Sequence, residues 1–344
     1  MKRDSIVYEH SFDLLRVIAC MMVILVHCSA RFIMFPSEEE MAPFLISNFY
    51  NSFSRVTIPL FVLMSGRFAL SRYMKMDISE FYSKIWVKRI VFPTLFWGIL
   101  YTLYRMLQGG VAVYLREPFN FLEPIKDFLM GYPFIHLWYM YMLIGLYGVI
   151  PILGILREKI GLDNFFYVAV ALTILAIPID NFSTLFWLVR FVCFLGYFML
   201  GYCLKYTPKR LFSPKELMLW WLICSILTWL ITSYCGLHGE GEVTDFLYGF
   251  FSPITIVGAV ALYLLFNGIK NYKGSAMIAS LSKHSLYIYL IHAGVLSIFE
   301  NVIFRFCGLK PNPIWYVPTI ALVVFFISYG LSLLFVRMKS QICK

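Results

Sequence analysis

Residues 12–32 read FDLLRVIACMMVILVHCSARF. Everything between Arg16 and His27 is apolar, and a run of about 20 residues of this kind is what a helix needs to cross a bilayer. The run continues past the apolar core of a signal peptide and lacks a small-residue cleavage site, so it reads as a retained helix. Arg16 and His27 stand eleven residues apart. At 3.6 residues per turn they share one face, within about 20° of each other and about 16 Å apart along the axis. Asp13, three residues before Arg16, is placed to pair with it.

The rest of the chain repeats the pattern. Of 344 residues 60% are hydrophobic and 14% charged, with a mean hydropathy of +0.76, which excludes an ordinary soluble domain. Lipid offers the backbone no hydrogen bonds, so the spans must be helices or a closed barrel, and the apolar runs do not alternate as barrel strands would. Apolar runs set against charged or Gly/Pro-rich breaks predict ten spans, near 12–33, 46–71, 88–107, 134–156, 164–180, 186–205, 216–235, 246–267, 281–303 and 314–337. The expected fold is an all-α polytopic membrane bundle. Only the segment from Gln108 to Pro133 leaves a sizeable loop, so residues 1–344 read as a single membrane domain.

The net charge of +10 raises nucleic acid as a partner, but the basic residues fall between apolar runs and form no long tract. Topology explains them better. One side holds Lys2, Arg3, Arg72, Lys75, Lys84, Lys88, Arg89, Arg157, Lys159, Arg337 and Lys339 among others; the opposite side holds Arg31, Arg105, Arg116, Lys126, Arg305 and Lys310. The richer side is expected in the cytoplasm, with both termini there and the protein in the inner (cytoplasmic) membrane, surrounded by lipid. Glu38, Glu39, Glu40, Glu240, Glu242 and Asp245 fall on the other side. The cysteines form no CxxC pair, so neither a redox motif nor a metal site is indicated, and only Cys235 and Cys307 fall where a disulfide is conceivable.

An ionisable side chain in hydrocarbon is costly unless it faces protein or a wet cavity. Arg31 and Arg67 lie near span ends and read as snorkelling side chains. Arg16, Arg55 and Arg190 do not fit that reading. Arg55 and Arg190 each begin a span from the outer side, suited either to an anionic acceptor or oxyanion, or to a structural ion pair. His136 beside Trp138 suits an interfacial aromatic belt or a sugar-stacking platform. Ser285, Tyr289 and His292 recur at helical spacing as a polar stripe facing the bundle, and His284 reads as interfacial.

An Arg, ten residues and a His in the first span resembles the hallmark of the acyltransferase 3 family, and four further segments agree in order: IPLFVLMSGRFAL (58–70), KRIVFPTLFW (88–97), HLWYMYMLIGLYGVIPIL (136–153) and HSLYIYLIHAG (284–294). The resemblance covers essentially the whole chain. It departs in one place: some members carry Arg-x-x-Arg before the third span, where this chain has Lys84, Lys88 and Arg89.

The resemblance implies transfer of an acyl group, usually acetyl, from cytoplasmic acyl-CoA to a hydroxyl of an extracytoplasmic glycan or other envelope molecule, with no permanently bound cofactor. Arg16, Lys88 and Arg89 then become candidate partners of the CoA phosphates, and Tyr289 and His292 candidate lining of the donor path. Arg55, His136, Trp138 and Arg190 are candidate acceptor contacts. His27 is the expected general base, with a covalent acyl-histidine intermediate as the alternative. A transporter or flippase using the same arginines, or a structural subunit, are the competing classes. The chain shows no internal repeat matching its two halves, as many transporters do.

Overall fold

In the computed structural model the opening stretch is one helix, α1 (His10–Ala30). The structure describes residues 9–33, 41–182, 187–207, 211–269, 273–309 and 311–342; Lys2, Arg3, Glu38, Glu39, Glu40 and Lys310 lie outside the described residues. No strand is present among the described residues, which removes the barrel alternative. Nine of the helical stretches among them are long and apolar enough to cross a membrane, so the chain is an all-α polytopic membrane protein.

Contacts gather the chain into two units, one of residues up to Phe61 and from Thr207 onward, the other Val62–Tyr206. In the first, α1 packs on α2 (Met41–Ser54), α12 (Pro253–Gly268), α13 (Ala276–Glu300) and α14 (Pro313–Ile342), while α2 also meets α10 (Pro214–Leu237). Cys20, Ile24 and Cys28 of α1 recur every four residues and mesh with Leu281, Ile288 and Val295 of α13 and with Val317, Ala321 and Val324 of α14. That apolar seam fixes the register in which the Arg16/His27 face meets its neighbours.

The expected second span divides into α2 and α3 (Thr57–Tyr73), with Arg55 in the turn between them. Pro59 explains the break, because it lacks the N–H that would bond the carbonyl of Arg55 four residues back. Proline acts again in the expected span 134–156, which is not among the nine. Pro151 cannot bond the Tyr147 carbonyl, and the helix is interrupted at Val149 between α7 (Trp138–Gly148) and α8 (Ile150–Phe182). Gly161, with φ 77° and ψ 176°, then bends α8 in a way that only glycine adopts without strain.

In the second unit α9 (Trp187–Cys203) packs on α7 and α8. A Cβ at Gly66 would collide with the Phe198 carbonyl and one at Gly201 with that of Leu63, so these glycines let α3 and α9 meet backbone to backbone. This corrects the expectation for Arg67: beside that close contact it is only 4% exposed, buried in protein and not snorkelling. His284, expected at an interface, is likewise buried, against Tyr329. Ahead of α5 (Phe92–Tyr114), residues Phe81–Val91 form a π-helix whose buried Phe81, Ile85 and Ile90 follow the four- and five-residue steps that i→i+5 bonding brings to one face. The expected loop is shorter than predicted, because α5 runs on to Tyr114, and it carries one short helix, α6 (Glu123–Leu129). Cys235 and Cys307 are unbridged.

Candidate active site

The two ends of the α1 face are held differently. At the first, Asp13 accepts a 2.6 Å hydrogen bond from the Ser282 hydroxyl, and that oxygen accepts 2.7 Å from an Arg16 guanidinium N–H. Arg16 also lies 3.4 Å from Asp13, the pairing their spacing predicted. Ser282 has one proton and gives it to the carboxylate, so its lone pairs face Arg16 and the three groups form a directed chain. Arg16 stays partly exposed while Asp13 is buried.

Eleven residues on, His27 meets His292 of α13 at 5.3 Å between ring centroids, with the planes 37° apart. His292 is fully buried, and its Nδ1 lies 2.5 Å from the Tyr289 carbonyl. A carbonyl only accepts, so Nδ1 carries the proton, and in the neutral ring Nε2 carries the lone pair. Tyr289 completes the group, its ring 5.6 Å from His292. The polar stripe expected on this helix is therefore real: Ser285, Tyr289 and His292 are all buried, and His292 is brought against the half-buried His27.

Asn51 of α2 is a residue that sequence reasoning missed. Its amide donates to the Val26 carbonyl at 3.3 Å and to the Ser29 hydroxyl at 2.9 Å, gripping α1 on either side of His27. The available signal was a cluster of neutral polar residues in an apolar run, NFYNSFS (48–54), because such residues in a membrane helix usually bond across to a neighbour.

Near the same end, Arg55 lies flat over Tyr248 of α11 (Gly241–Tyr248), 3.9 Å from the ring centroid, and donates to the Tyr248 carbonyl at 3.4 Å. It is close enough to act on His27 electrostatically. The platform itself is locked, since the Tyr248 hydroxyl donates at 2.5 Å to Asn48, whose amide in turn bonds Thr232 at 3.0 Å and Ser233 at 2.9 Å. The Arg55 Nε–H has no hydrogen-bond partner among the described residues.

The remaining predicted residues belong to the Val62–Tyr206 unit. Arg190 lies over Trp138 at 4.6 Å and donates to the Tyr132 hydroxyl at 2.8 Å. His136 is buried in an aromatic box with Tyr101 at 5.1 Å and Phe134 at 6.0 Å. Lys88 and Arg89 are exposed on the π-helix, which Trp86 and Tyr82 pin to α7 through the carbonyls of Ile144 and Gly148, both at 2.8 Å. No group of His, Cys, Asp or Glu able to hold a metal is present among the described residues.

No curated protein and no solved structure was found to match the chain. A family model described as an acyltransferase domain matches residues 9–335, which contain both ends of the α1 face and the helices that support them, except for the end of α14. With nearly its whole length matched, the chain belongs to the acyltransferase 3 family and is a membrane acyltransferase.

Proposed function

We propose that the protein moves an acyl group, acetyl by expectation, from cytoplasmic acyl-CoA to a hydroxyl of an extracytoplasmic glycan or other envelope molecule, with His27 as the general base. The observation that carries this reading is the pairing of His27 with a second imidazole whose Nδ1 proton is committed to the Tyr289 carbonyl. His27 takes the proton of the acceptor hydroxyl as its oxygen adds to the thioester carbonyl; collapse of the tetrahedral intermediate expels the CoA thiolate, which recovers the proton from His27. The unsatisfied Arg55 Nε–H supports a role for Arg55 in neutralising the oxyanion. Arg16, held by Asp13 and Ser282, suits the anionic end of the donor, and its separation from His27 of about 16 Å along α1 suits an extended pantetheine arm.

The test is reconstitution in vesicles with radiolabelled acetyl-CoA on one face and an envelope glycan preparation on the other. Label should appear on the glycan and be lost in a stably folded His27→Ala variant. A folded His27→Ala protein with full transferase activity would remove His27 as base. Movement of an unmodified solute without acetyl-CoA would favour transport instead.

A further inference from the structure

At the His27 end of α1 lies a cavity of about 310 Å³ lined by Arg31, Ser297, Glu300, Asn301, Phe304 and Arg305. Arg31 keeps helical φ and ψ just past α1, four residues from His27, which puts it about 6 Å further along the axis and about 40° round. The opposite wall is built by the last turn of α13 and the π-helix that continues it, Asn301–Phe306. Ser297, Glu300, Asn301 and Phe304 follow the i, i+3, i+4, i+7 pattern, so one face presents a hydroxyl, a carboxylate, an amide and a ring. Widening to π geometry at the end of a helix recurs at functional sites.

Phe304 is held between Arg31 and two further rings. The Arg31 guanidinium lies 3.8 Å above the Phe304 centroid, and that ring is backed edge-on by Tyr316 at 5.4 Å and Phe32 at 6.2 Å. Half-buried Glu300 is an electrostatic neighbour of the exposed Arg31.

The size is at the lower end of small-ligand sites, about 300–1,000 Å³, too small for a coenzyme and too polar for an acyl chain. A carboxylate accepts two hydroxyl protons, an amide both donates and accepts, and a guanidinium donates two parallel N–H bonds. Together these satisfy adjacent hydroxyls on a ring. We infer that this cavity is the acceptor subsite, and that it takes a sugar ring by vicinal hydroxyls so that another hydroxyl of the same acceptor reaches His27, one helical turn back along α1. The inference rests on the acyltransferase reading of His27 and adds the residues that hold the acceptor.

The experiment uses full-length protein in nanodiscs with acetyl-CoA and a panel of methyl glucoside, methyl galactoside and methyl mannoside as soluble acceptors, followed by CoA thiol release and the mass of the sugar. Glu300→Gln and, separately, Asn301→Ala should raise KM for the accepted glycoside by about 10- to 100-fold, the loss of hydrogen bonds to a charged or amide group, while KM for acetyl-CoA stays in place. A KM for acetyl-CoA that moves instead assigns the cavity to donor phosphates and overturns the inference. So does an unchanged glycoside KM in both variants. If the wild type hydrolyses acetyl-CoA through His27 but acylates no glycoside, the sugar class falls and the transferase reading stands. If neither reaction occurs, a rise in melting temperature with methyl glycosides that Glu300→Gln abolishes supports the subsite while the transferase reading fails.

Discussion

Arg55 and Arg190 lie in separate units and use the same local device, a guanidinium laid on an aromatic ring with one N–H given to a tyrosine oxygen. Their surroundings differ. The Tyr248 ring beneath Arg55 is tied through Asn48 to α2 and α10, and α2 also carries the Asn51 that grips α1 beside His27. The Trp138 ring beneath Arg190 sits among aromatic neighbours such as Phe194, in a region where His136 is boxed by rings. One region spends its polar groups on hydrogen bonds that aim side chains; the other spends its aromatic groups on packing. Substitutions should therefore cost activity in the first and stability in the second.

The largest expected effect breaks the comparison at its two histidines. His27→Ala should lower kcat by about 10²- to 10⁴-fold, the usual worth of a positioned base, with little change in melting temperature because the ring is half-buried. His136→Ala removes a fully buried ring from an aromatic box and should lower the melting temperature clearly while kcat stays within about threefold. Paired kinetics and thermal melts decide it; a kcat loss at His136 as large as at His27 would move the reactive region.

His292→Phe comes next. The replacement keeps a planar ring in the buried site but loses both the Nδ1 bond to Tyr289 and the lone pair beside His27, so transfer should fall by about 10- to 100-fold. Because His292 touches His27, the two substitutions should be strongly non-additive in kcat. Additive losses would mean that His292 contributes through packing alone.

How legible each region was follows from what kind of physics sets it. The spans were readable because hydrocarbon tolerates little but apolar helix, and Asp13–Arg16 was readable because three-residue spacing is local. His292 was visible with Ser285 and Tyr289 as a stripe on α13, but Ser282 was not, and which end of α1 each meets depends on the register of the Cys20/Ile24/Cys28 seam against Leu281/Ile288/Val295, a contact between distant stretches. The breaks at Arg55 and Val149 were signalled by Pro59 and Pro151, which a count of apolar runs passes over. Asn51 escaped because attention to ionisable residues ignores a neutral amide, and Arg67 was misjudged because nothing in its own span reveals that Gly66 and Gly201 bring α3 and α9 into close contact.

Asn51→Ala sharpens the contrast at a smaller scale. It removes the amide bonds to Val26 and Ser29, and inter-helix bonds of this sort in membranes contribute about 0.6–2 kcal/mol. As Asn51 positions α1 and does not touch substrate, kcat should drop by about tenfold with KM for acetyl-CoA unchanged, and Asn51→Gln should recover part of it. A pure stability loss without a kcat effect would reduce Asn51 to a packing residue.

The smallest effect separates the two arginines themselves. Lysine keeps the charge but cannot lie flat on a ring or give two directed N–H bonds, so both Arg55→Lys and Arg190→Lys should lose about 0.5–2 kcal/mol of stability. Arg55→Lys should also lower kcat, since Arg55 acts electrostatically on His27; an unpartnered Nε–H does not separate the two, because both arginines have one among the described residues. The cleaner measurement is a double-mutant cycle of Arg190→Lys with Trp138→Leu, read by thermal melts. A coupling of about the same 0.5–2 kcal/mol would assign the Arg190 contribution to its stack on Trp138, and a coupling near zero would leave the Tyr132 hydrogen bond as the contact that holds Arg190 in place.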